Sequence, residues 1–188
     1  VENVSDLHVK ISDGNNKLGA IPSVSLIPVM DCGNCAICAK SCYDLRNDFI
    51  YKEVIKTRAI NSAIYHEDPE RFFKEIDDYF NYRYPRAFRF HIGGDIQNKW
   101  YLDKMCEIAR KHKDTKFLAF TKMFDVCNEY LDEGNVIPEN MHILFSGWLG
   151  LKMDNRHGFP EAHPIFESGT SAPEGTCLCT GNCTECLK

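Results

Sequence analysis

The chain lacks any apolar run near the roughly 18 residues of a membrane span, and Val1 to Gly14 contains no basic-then-apolar stretch of the export type. A soluble, cytoplasmic protein with no membrane partner is therefore expected. Basic excess is missing too: 22 Lys and Arg stand against 27 Asp and Glu, for a net charge of -5. That balance disfavours broad nucleic-acid binding, because phosphate backbones are attracted by surplus cations. The composition is 44% apolar and 26% charged with a mean hydropathy of -0.35, so neither disorder nor a fibrous repeat fits. At 188 residues a second large domain is not expected. One α/β domain is expected, with a core over about 20–150 and a cysteine-rich tail over 151–188.

What is abundant is cysteine, and its placement matters more than its number. Eight of the ten cysteines fall in two clusters. Cys32, Cys35, Cys38 and Cys42 read C-x2-C-x2-C-x3-C, the spacing of the bacterial ferredoxin run, with Tyr43 where that run has proline. Cys177, Cys179, Cys183 and Cys186 read C-x-C-x3-C-x2-C. Short gaps let successive thiolates of one loop turn inward on a small volume, and Gly33, Ala36 and Ala39 leave room for the backbone to wrap. One or two [4Fe-4S] clusters are the leading expectation. Zinc is the alternative metal, and disulfides come third in a chain without an export signal. Cys106 and Cys127 differ in kind. Each lies on the apolar stripe of an expected helix, where cysteine packs as a small hydrophobe.

Around these clusters, β-rich runs alternate with helical periodicity. Strands are expected near 23–29, 87–92, 116–121 and 141–146, with a short edge strand at Asp6 to Ile11. Helices are expected from Asp48 to about Ala63, from Pro69 to before Pro85 with Asp68 as N-cap, over Lys99 to Lys111, and near Phe124 to Leu131. Such alternation builds a parallel sheet through right-handed crossovers. Four or five units fall short of an eight-stranded barrel, so a partial (β/α) barrel or an open, mainly parallel sheet is expected. The first cysteine cluster then sits in the loop after the first strand.

Open sheets of this kind bind ligands at the carboxyl ends of their strands. His91, Gly93, Gly94 and Asp95 follow one strand, Lys122 another and Ser146 a third. Each has an ordinary alternative: a histidine bonded within the core, a Gly-Gly-Asp turn leading to a helix cap, a solvated lysine. Cys179, Cys183 and Cys186 form the C-x3-C-x2-C triplet with which radical S-adenosylmethionine enzymes hold three irons and leave the fourth open.

Asn16-Lys17-Leu18-Gly19, Ser25, Cys32, Cys38, Cys42-Tyr43, Phe88 to Asp95, Tyr101, Ile108-Ala109, Phe120-Thr121-Lys122 and the cysteines at 177, 183 and 186 together resemble the phage gene product 88-like proteins. Those are distantly similar to radical S-adenosylmethionine barrels. The resemblance implies an iron–sulfur protein with a barrel-like α/β core, acting in a host cytoplasm. Gly93-Gly94-Asp95 looks like the Gly-Gly-Glu element that meets the cofactor's amino group, one methylene shorter.

Three functions follow as expectations. The first is one-electron transfer to a redox partner protein through fully thiolate-bound clusters. The second is radical chemistry on S-adenosylmethionine at an open iron. The third is a zinc-stapled binding module presenting Trp100, Tyr101 and Trp148.

Overall fold

The computed structural model describes residues 3–14, 19, 21–33, 38–165, 174–179, 181 and 183. Its centre is a five-stranded, all-parallel sheet of β1 (Ser23–Val24), β2 (Ala87–Phe90), β3 (Lys116–Thr121), β4 (Met141–Ser146) and β5 (Glu161–Ala162), in the spatial order 1-2-3-4-5. Each strand lies beside its predecessor in sequence, and the sheet stays open rather than closing into a barrel. The helices are α1 (Tyr43–Ile50), α2 (Lys52–Glu67), α3 (Pro69–Arg83), α4 (Lys99–Lys111) and α5 (Phe124–Asp132).

Local rules account for most of these elements. Asp68 caps α3, its carboxylate accepting from the Arg71 N–H at 3.0 Å, with Pro69 at the first helical position. Asn98 does the same for α4, accepting from Tyr101 N–H at 2.9 Å. Along α3, Phe72, Phe73, Ile76, Tyr79 and Phe80 recur at helical spacing and are buried; Tyr101, Leu102, Met105, Cys106 and Ala109 do so on α4. These stripes meet Val24, Phe88, Phe90, Phe117, Ala119, Ile143 and Phe145 from one face of the sheet, forming the main core. The second face holds a smaller cluster of Ile21 and Leu118, with Phe120, Leu144 and Cys183 packed against it. Cys106 and Cys127 are fully buried in the main core, as their position on the apolar stripes predicts.

Several boundaries differ from the sequence reading. The first strand pairs only over Ser23–Val24, because the chain bends toward Pro28 and Val29, which adopts a positive φ of 71°. The helix expected from Asp48 is two helices with a break at Tyr51, whose backbone is extended. Asp6 to Ile11 makes no strand; only Ser12 bridges Ser23, antiparallel. Instead the Asn61 side chain of α2 holds that segment, accepting from Lys10 N–H and donating to Lys10 O at 2.7 and 2.9 Å. The two-residue β5, too short to show alternation, is an addition.

Candidate functional site at the carboxyl edge of the sheet

At the carboxyl ends of β1 and β2, two loops are bound into one unit. Leu26 N–H donates to Gly93 O at 2.9 Å, beyond the paired residues of β1 and β2, and the Ser25 hydroxyl accepts from Ile92 N–H at 3.1 Å. Asp95 N–H donates to Asp31 O at 2.8 Å, and Gln97 Nε2 bridges Asp31 O and Asp95 O at 2.7 Å each. Gly94 sits at φ +83°, where a Cβ would meet Leu26 Cβ at 2.7 Å; only glycine permits this approach.

The first cysteine loop is held at both ends by α2. Just before Cys32, the fully buried Asp31 carboxylate accepts from Ser62 Oγ at 2.5 Å and from Ile27 N–H at 3.0 Å, and its other oxygen lies 2.6 Å from His66 Nε2. Just after Cys42, Asp44 forms a buried salt bridge with Arg58 at 2.7 Å, both side chains about 5% exposed or less. Within the loop, Cys32, Cys38 and Cys42 are half-buried. A Cβ on Gly33 would run into the Met123 thioether, so the loop passes directly over the start of α5.

Asp95, whose carboxylate was expected at a cofactor, is turned inward. It is buried; one oxygen accepts from Thr121 Oγ1 at 2.6 Å and Ile96 N–H at 2.7 Å, the other from Lys122 N–H at 2.8 Å. Burial pushes its pKa up, against those hydrogen bonds, which lower it. In this arrangement Asp95 ties β2 to β3.

His91 is also a core group, with Nε2 2.6 Å from the Tyr101 hydroxyl. Desolvation, with help from Arg89, pushes its pKa down to about 3, so it stays neutral near pH 7. Burial drives the Cys106 thiol up to about 12 and the Cys127 thiol up as well, consistent with inert packing. Lys122 extends its ammonium to Ser146 Oγ at 3.1 Å and lies 5.7 Å from the Trp148 ring. Lys122 and Ser146 therefore do meet, while His91 and Asp95 face the protein.

Residues 6–157, most of the chain, match the family model described as Gene product 88. The chain belongs to the gene product 88 family. This is the phage family that the residue pattern resembles, and the match ends before the tail cysteines at 177, 179, 183 and 186. Comparison with curated proteins and with solved structures gives no match, and similarity to radical S-adenosylmethionine enzymes finds no support there.

In this gene product 88 chain, an all-thiolate donor set suits soft metals, which fits iron–sulfur clusters or zinc. Among the described residues, no three Cys, His, Asp or Glu side chains converge as a ligand set. Cys35 and Cys186 lie outside the described residues. In the tail, Cys177 and Cys179 are exposed, and Cys183 is half-buried on the second face of the sheet, where Arg89 Nη1 donates to its sulfur at 3.2 Å. The sequence reading did not single out Arg89, Asp31 or the Asp44–Arg58 pair. Arginine and aspartate next to a cysteine loop give no periodic signal, and their roles come from α2 and β2 folding back. No helix is long and apolar enough to cross a membrane among the described residues.

Proposed function

We propose that this gene product 88 protein is an iron–sulfur protein whose activity is one-electron transfer, with Cys32, Cys35, Cys38 and Cys42 holding a [4Fe-4S] cluster and the tail cysteines at 177, 179, 183 and 186 available for a second. The observation that carries the reading is the fixing of the first cysteine loop at both ends, by Asp31 and by Asp44–Arg58, onto α2 at the carboxyl edge of a parallel sheet. A loop whose ends are fixed loses less entropy when its thiolates gather on a metal. Its C-x2-C-x2-C-x3-C spacing matches cubane ligation better than zinc knuckles, which pair two C-x2-C halves across a longer gap.

Fully thiolate-bound clusters exchange electrons without binding a substrate, so a redox partner protein is expected. The inward Asp95 supports this over chemistry on S-adenosylmethionine, since its oxygens are occupied by Thr121, Ile96 and Lys122. The test is anaerobic purification with iron, sulfide and zinc analysis, followed by addition of S-adenosylmethionine to the reduced protein. Stoichiometric iron and sulfide, with an electron resonance spectrum unchanged by the compound, supports the carrier. Zinc without sulfide makes the protein a zinc-stapled module, and reductive cleavage of S-adenosylmethionine makes it a radical enzyme.

A further inference from the structure

The second face of the sheet is basic in an acidic protein. Register and strand alternation place Arg89 of β2, Lys116 of β3 and His142 of β4 on it, while no strand position on that face is Asp or Glu. Lys122 follows β3 directly and reaches Ser146 on the same face.

Arg89 is the unusual member. It is only 8% exposed, it lies 4.9 Å over the Phe120 ring, its Nε donates to His91 O at 3.0 Å, and its Nη1 meets the Cys183 sulfur. No described carboxylate pairs with it. Burying a guanidinium with no anion beside it is unfavourable. Directly opposite Arg89 in the β1–β2 register stands Ser23, 1% exposed, whose hydroxyl has no hydrogen-bond partner among the described residues. Register thus makes Ser23 and Arg89 neighbours on one face, and an oxygen acceptor bearing negative charge would serve both side chains.

We propose that the second face of the sheet binds a phosphate monoester, its oxygens taken by the Arg89 guanidinium and the Ser23 hydroxyl, with Lys122 and Ser146 serving the part of the ligand that extends toward the carboxyl edge. A phosphate fits better than a carboxylate because its dianion matches two cations and its several acceptors match a guanidinium fork plus a hydroxyl. Phe120 to Lys122 is two residues, roughly 7 Å at the rise of a strand, which a molecule of nucleotide or sugar-phosphate size spans. The contact that gives way on entry is Arg89 to Cys183, since N–H···S is weaker than a charge-assisted N–H···O. The site is that of the chain whose Cys183 is free of metal, because a metal-bound Cys183 thiolate would itself be the anion at Arg89.

The experiment is isothermal titration of the full chain at low ionic strength with inorganic phosphate and, separately, with 5′-adenosine monophosphate. Both should bind with a dissociation constant below about 1 mM; equal affinities mean that phosphate alone is read, and a tighter nucleotide means that the sugar and base also contribute. Arg89→Lys should weaken binding roughly tenfold through loss of the fork. Ser23→Ala should weaken it about fivefold while leaving Tm unchanged or higher, because it deletes an unsatisfied hydroxyl. That opposite movement of affinity and stability is what a purely structural serine would not give, and it tests the site even if Arg89→Lys fails to fold. Absence of binding by either probe, or unaltered affinity in Ser23→Ala, overturns the proposal.

Discussion

Gly93 and Asp44 approach so closely that a Cβ on the glycine would overlap the Asp44 carboxylate and stand 2.9 Å from Arg58 Cζ. The bare backbone after β2 is therefore part of the wall around the buried ion pair. Gly93→Ala should push the pair apart and cost about 1–3 kcal/mol. Arg58→Met, which strands the Asp44 carboxylate, should cost about 3–5 kcal/mol. Urea denaturation of both single variants and the double variant should show that the two losses do not add, because they strike one interaction.

Asp95→Asn retains the shape but turns an amide donor toward one of the N–H or O–H groups that now donate to the carboxylate. A loss of about 1–3 kcal/mol is expected. Its readout is Tm at pH 7, and a variant as stable as the parent would contradict the inward assignment.

His91 sets an acid limit. Its ordinary pKa of 6.5 falls to about 3 in the folded chain through burial. The unfolded chain therefore binds a proton that the folded chain refuses between those values, and stability drops as pH falls from about 6.5 toward 3. His91→Gln should make the drop between pH 7 and pH 4.5 shallower by about 2–3 kcal/mol, measured by urea unfolding at the two pH values.

The ten cysteines should divide by position. Cys38→Ser should lower bound iron by at least about half, since a cubane that loses a thiolate is less tightly held. Cys106→Ala, in the fully buried core, should leave iron content intact and lower Tm by a few degrees, roughly the effect of 1 kcal/mol. Iron analysis beside thermal melts separates the two outcomes.

The strands were legible because β2, β3 and β4 are short runs rich in phenylalanine and aliphatic residues, separated by helical periodicity. Helix starts were legible where a side chain caps locally, as at Asp68 with Pro69. The short β1 was not, since its neighbours Leu26 and Ile27 carry the same apolar signal but bond to Gly93 O and to Asp31 and Ser62 instead of a ladder. The break between α1 and α2 was hidden because Ile50 and Tyr51 are apolar yet exposed. Cysteine spacing pointed to the loop, but nothing local pointed to Ser62, His66 or Arg58, which reach it across 14 to 35 residues. Gly93-Gly94-Asp95 carries a motif open to both a cofactor edge and a turn leading to a helix cap; in the structure its hydrogen bonds also form a seam joining β1, β2 and β3.

A sheet whose strands stand in the order in which they are synthesised can be assembled by accretion. Each β-α unit leaving the ribosome finds its docking edge already synthesised in the unit before it, and β3 with β4 form the longest ladder. From β2 to β5 the paired strands are close in sequence and need small loop closures, which favours fast folding for a parallel architecture that is ordinarily slow. The two-residue β1 cannot hold an edge alone, so α2 and α3, translated between β1 and β2, have to keep it in place until β2 arrives.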